Sequence, residues 1–149
     1  MKTCTYSINI QKPQDVVFSI LTDPEHYPAW GNAWGEGMRM LADWREGGTV
    51  TFLDPLQGGT RAVIEEWVPD QLIRTRHTAM VTPENDVIDA MDDEMRKWIG
   101  SQENYRFSPD GNGGTLLEVE MLMDEAFEEM MAAWTIALQQ LKGLCEAKV

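Results

Sequence analysis

Apolar and polar residues alternate through the first ten positions, with Cys4, Tyr6, Ile8 and Ile10 set against Thr3, Thr5, Ser7 and Asn9. A period of two predicts a strand with one buried face. The period then changes. Val16, Val17, Ile20 and Leu21 give a helix face behind Pro13, whose missing amide hydrogen costs nothing in a first turn. That helix stops before Thr22-Asp23-Pro24, and Asp23-Pro24 predicts a fresh start for a short second helix carrying His26 and Tyr27. Pro28 is expected to end it, leaving residues 30–35 as a loop with two indoles, Trp30 and Trp34, and two glycines.

Strand patterns return from Met38. Residues 38–44 and 49–53 flank the turn Glu46-Gly47-Gly48, and residues 60–68 follow a second glycine pair, Gly58-Gly59. Pro69-Asp70 predicts a tight turn into residues 71–80, so these four strands form an antiparallel meander. Between 81 and 100 the alternation fails. Six carboxylates fall there, while Val87, Ile88, Met91, Met95 and Trp98 are compatible with a helix; the segment reads as an excursion over an edge or mouth. Residues 104–108 and 115–123 complete the sheet.

The last quarter has the spacing of a long amphipathic helix. Phe127, Met130, Met131, Trp134, Ala137, Leu138, Leu141, Leu144 and Cys145 fall three and four apart over residues 124–146. Asp124 can cap its start, Glu125, Glu128 and Glu129 suit the positive end of its dipole, and Lys142 and Lys148 the negative end. At about 1.5 Å per residue it is roughly 30 Å long, enough to cross a small sheet. Strands grouped together with helices set apart predict an α+β fold in which this helix runs unbroken across the sheet's concave face.

Length and charge narrow the function. A chain of 149 residues suits one domain with a real core. A formal charge of −13 argues against nucleic acid and anionic membrane surfaces as partners. No apolar run approaches the roughly 20 residues of a membrane span. The first ten residues lack the form of a signal peptide, so a cytoplasmic location is expected. Two cysteines make no disulfide framework, and Cys4 and Cys145 are expected to be free, buried thiols.

Several runs resemble the SRPBCC (START-like, helix-grip) superfamily. Residues 18–30 (FSILTDPEHYPAW) are similar to its first helices, and 46–52 (EGGTVTF) and 65–73 (EEWVPDQLI) to its hairpins. Residues 103–107 (ENYRF), 114–119 (GTLLEV) and 133–142 (AWTIALQQLK) resemble its closing strands and helix. The branch most resembled is that of proteins like the activator of the heat-shock-protein-90 ATPase. The resemblance implies a curved antiparallel sheet of seven strands gripping the C-terminal helix, with an apolar cavity between them. Only Gly47-Gly48 stands where the plant-hormone-binding branch carries a full glycine-rich loop. The resemblance brings no catalytic signature.

The residues add little reactive chemistry. His77 lies in a strand with Arg74 and Arg76 nearby, and alternation turns either Arg76 or His77 to the interior. His26 reads as a surface group. Cys4, His26, His77 and Cys145 lack the spacing of a metal site, and no cofactor signature is legible. Glu65-Glu66 would place one carboxylate on each face, and Glu118 and Glu120 share a solvent face. The aromatic set stands out instead. Trp30, Trp34, Trp44, Tyr105 and Trp134, with Met80 and Met130, come from separate elements that a helix-grip layout brings around one space, and Trp98 is placed as a lid residue. The expected function is binding of a small hydrophobic or amphipathic molecule, a lipid among them. The alternatives are a chaperone-activator-like protein-interaction module, implied by the resemblance, and an enzyme of the polyketide-cyclase kind.

Overall fold

The structure, a computed structural model, describes residues 1–147. Strand β1 (Lys2–Ile10) is followed by helices α1 (Gln14–Leu21) and α2 (Tyr27–Gly31). Then come β2 (Arg39–Ala42), β3 (Thr49–Asp54), β4 (Gly58–Val68), β5 (Leu72–Val81), the short helix α3 (Asp93–Trp98), β6 (Gln102–Pro109) and β7 (Thr115–Met123). A 3-10 segment (Glu125–Ala132) leads into the last helix, α4 (Ala133–Ala147). The seven strands form one sheet in the order β1-β7-β6-β5-β4-β3-β2, with every neighbouring pair antiparallel. The expected α+β arrangement is present, with β1 joining the meander through β7. Lys148, expected near the helix end, lies outside the described residues.

The C-terminal element departs from a continuous helix. Asp124 does cap it, its Oδ1 accepting from the Ala126 amide at 2.9 Å, but the first eight residues are 3-10. A 3-10 helix rises about 2.0 Å per residue against about 1.5 Å in an α-helix, so the same residues reach farther. That reach sets Phe127 edge-on against Trp98, with ring centroids 5.0 Å apart. From Ala133 the chain is α-helical and buries Trp134, Ala137, Leu138, Leu141 and Cys145. It packs on β1, α1 and α2.

Pro28 lies in the first turn of α2 rather than ending it. Proline's fixed φ and absent amide hydrogen suit a first turn, and the helix continues to Gly31. Trp30 is therefore helical and 1% exposed, not a loop residue. Gly31 lies against the Tyr27 ring, where a Cβ would stand 2.4 Å from Tyr27 Cζ.

Two bulges re-aim β4 and β5. Glu65 is the extra residue in one, between the pairs Ile64–Thr75 and Glu66–Arg74. Both carboxylates consequently face outward, Glu65 3.1 Å from Arg76 and Glu66 3.5 Å from Arg74, and neither points inward. In the other, Thr78 is skipped between the pairs Ala62–His77 and Arg61–Ala79. A skipped residue reverses the alternation. His77 and Met80, which strict period two would put on opposite faces, both turn inward. The segment between β5 and β6 is mostly irregular. Arg61 clamps it through Asn85 O (3.1 Å) and Asn85 Oδ1 (2.7 Å), and only Asp93–Trp98 is helical, capped by Asp92 on the Met95 amide.

Candidate functional site

A cavity of about 520 Å³ lies between the C-terminal element, α2 and the central strands, with α3 at its mouth. Large side chains approach one another across it without filling it. Trp134 reaches from α4 to Tyr105 on β6 (ring centroids 5.9 Å apart), Trp34 (4.7 Å) and Trp30 (6.3 Å). Met38, Met80, Met95, Met121 and Met131 supply much of the remaining wall. Such thioethers adapt to irregular shapes, whereas the indoles supply rigid area.

One end of the cavity is polar. Glu103 is 7% exposed, Tyr105 2% and His77 0%. The Tyr105 hydroxyl donates to Glu103 Oε2, and His77 Nε2 stands 3.5 Å from Glu103 Oε1. On the other side of the imidazole, Nδ1 is 2.8 Å from Thr60 Oγ1, which itself accepts from Trp98 Nε1 at 2.9 Å. Thr60 has a single hydroxyl proton. Its nearer acceptor is Nδ1, the alternative being Ala79 O at 3.4 Å. That choice assigns the imidazole proton to Nε2, which then faces Glu103. The Nε2 atom is buried and makes no hydrogen bond. Burial, and then the neighbouring Glu103, hold the phenols of Tyr27 and Tyr105 above the usual tyrosine range. Both are hydrogen-bond donors across the physiological range.

The profile of the family described as "Activator of Hsp90 ATPase homolog 1-like protein" matches residues 11–146. The chain belongs to this family. Its layout is the helix-grip layout of the SRPBCC superfamily. Among solved structures, the Aha1 dimer from Colwellia psychrerythraea is 14% identical, with 95% of this chain and 94% of that chain covered at a TM-score of 0.68. CalU16 from Micromonospora echinospora is 24% identical, covering 96% and 74% at a TM-score of 0.65. Protein MLL2253 from Mesorhizobium loti is 14% identical, covering 99% and 99% at a TM-score of 0.73. At these identities the likeness is one of fold. A search of curated proteins found none that matches this sequence.

In this AHSA1-like chain, Trp30, Trp34, Met80, Trp98, Tyr105, Met130 and Trp134 all line the cavity. Trp44 does not. It lies past the end of β2, stacks on Trp67 (5.4 Å, 19°), and donates from Nε1 to Thr22 O at 2.8 Å. Trp98, placed by sequence as a lid, sits over His77 (5.0 Å) at the mouth. Met130 is 55% exposed there, so it forms a rim rather than a wall. The sequence reading overlooked Glu103, Thr60, Tyr27 and Phe52. For Glu103 a signal existed, since a strand that turns Tyr105 inward must turn Glu103 inward too.

Elsewhere the chemistry is quiet. His26 pairs with Asp23 at 2.8 Å on a partly exposed surface. Burial pushes the Cys145 thiol up to about 11, which keeps it a thiol and a poor nucleophile. Cys4 is half-buried and also free. Among the described residues no three His, Cys, Asp or Glu are placed to hold a metal ion, and no helix is long and apolar enough to cross a membrane. A second depression, near Gln14, Gln71 and Arg106, has mixed polar walls. Gln14 already spans part of it, donating to Asp70 O and Phe107 O.

Proposed function

We propose that this protein binds a small apolar or amphipathic molecule in the cavity beneath the C-terminal element. The observation that carries the reading is a space of about 520 Å³ left open among Trp, Met and Tyr side chains that could otherwise have closed on one another. A ligand burying about 200 Å² of apolar surface there gains roughly 5 kcal/mol. Association itself costs about 4 kcal/mol or more, so apolar burial alone gives weak binding. The polar end then decides affinity and orientation. Membership of the helix-grip superfamily supports a cavity, though not a particular ligand.

A protein-interaction role, which the Aha1 name of one structural relative brings to mind, is supported less well. Apart from Met130 at the cavity rim, the large exposed apolar residues Met1, Leu41, Leu56, Val87 and Ile136 lie on separate segments of the chain, and singly exposed apolar residues are ordinary on any surface. An enzyme is the second reading, favoured by the inward His77–Glu103 pair at the base of the cavity. Such a pair could exchange a proton with a bound substrate.

Fluorescence titration with the neutral probe N-phenyl-1-naphthylamine tests the binding reading. Saturable, blue-shifted probe emission with loss of Trp emission is expected. Met80→Trp, which adds an indole to the space, should weaken it at least about fivefold while the protein stays folded. No saturable binding to folded wild-type protein would remove the reading. Conversion of a bound compound, lost in His77→Gln, would favour the enzyme.

A further inference from the structure

We infer that the cavity selects ligands whose polar end is a protonated amine or other hydrogen-bond-donating cation, and rejects carboxylates such as fatty acids. This rests on the cavity being a ligand site at all. Four carboxylate side chains line it, those of Asp54, Asp92, Glu94 and Glu103, and no Lys or Arg does. Asp54 and Asp92 each use one oxygen on local backbone, Asp54 on the Leu56 and Gln57 amides and Asp92 on the Met95 amide. Their charge nonetheless stays at the mouth. Arg61, on the adjacent strand, is turned aside and held by Thr51 and Asn85.

Glu103 is the group that makes a site of this. It is buried at the inner end, and Tyr105 satisfies only its Oε2. Its Oε1 has His77 Nε2 at 3.5 Å, beyond a good N–H···O bond. A donor entering the cavity would complete the carboxylate's bonding, and a charged donor would make the stronger bond. The walls favour the same ligand. Trp30, Trp34 and Trp134 meet within 4.7–6.4 Å of one another, and an indole face attracts a cation through its quadrupole. An anionic head would meet four carboxylates and no Lys or Arg. The formal charge of −13 adds long-range attraction for cations.

The test uses decylamine, decanol and decanoate, which share a chain and differ in head group, titrated below micelle-forming concentrations at neutral pH and followed by Trp emission. Expected is binding in the order amine, alcohol, carboxylate, with amine over carboxylate by about tenfold or more. High salt should leave most of that preference, because it screens the surface charge but not a buried group. Glu103→Gln should bring the amine down to the level of the alcohol while the alcohol still binds. Carboxylate binding as well as amine, or an amine-to-alcohol ratio unchanged in folded Glu103→Gln, would overturn the inference and leave the ligand site standing. Loss of the whole preference in high salt would assign it to the surface and overturn it as well. Failure of all three to bind would overturn both.

Discussion

Two aromatic clusters sit on the same sheet and meet different ends. In one, Trp44 stacks on Trp67, Phe18 packs on Trp67 at 5.0 Å, and Phe107 meets Phe18 at 5.2 Å. In the other, Trp30, Trp34, Trp134 and Tyr105 converge at 4.7–6.4 Å around open space. The first cluster is closed by α1, and the Thr22 carbonyl just past its end accepts a hydrogen bond from the Trp44 indole N–H. The second lies where α4 leans toward β1 and the short helices, so only long side chains reach the central strands. The Trp30 indole nitrogen, buried there, has no partner. Residue type therefore does not separate core from cavity. The distance between backbones does, because close elements interdigitate and distant ones leave a gap.

The largest effect should come from the residue that serves as both support and wall. Trp134→Ala is expected to destabilise the fold by about 3–5 kcal/mol in chemical denaturation, since its ring is 2% exposed and touches three other rings. A loss below about 1 kcal/mol would show that it supports little. Trp44→Phe should cost about 1–2 kcal/mol through the lost indole bond and area, with probe affinity unchanged. A change in affinity would break the distinction between the clusters. Trp34→Ala is its counterpart. Trp34 is only half-buried, so stability should fall by about 1 kcal/mol or less while probe binding weakens about tenfold, as loss of one aromatic wall implies.

The smallest effect concerns pH. Burial raises Tyr27 and Tyr105 in the folded state, so the folded chain holds protons that the unfolded chain releases from about pH 10. Stability from these phenols is full below that point and declines as pH rises through it. Alkaline denaturation curves should show the midpoint falling from about pH 10, with a smaller fall in Tyr105→Phe. An equal fall in the variant would remove Tyr105 from the account.

Much of this was legible beforehand, and the failures have physical causes. Period two located the strands, and the amphipathic stripe located α4. The inward turn of both His77 and Met80 was not readable, because a bulge is an event of pairing rather than of pattern. Trp30 was misplaced because Pro28 can either stop a helix or open one, and packing of Gly31 on Tyr27 decides which. The 3-10 character of residues 125–132 is likewise invisible to helical spacing. Trp44 was assigned to the cavity because the strand pattern ran through it, whereas β2 stops at Ala42 and leaves the indole beyond the strand. Glu103 was recoverable from alternation with Tyr105.

On the binding proposal, one aromatic cluster encloses a ligand site and the other is packed core. The six tryptophans give six indole N–H signals in a two-dimensional NMR spectrum, each assignable by single substitution to Phe. Titration with neutral N-phenyl-1-naphthylamine should shift the signals of Trp30, Trp34, Trp98 and Trp134 along one saturating curve and leave those of Trp44 and Trp67 in place. Six unmoved signals at the probe's solubility limit, or Trp44 and Trp67 moving as far as the other four, would contradict it.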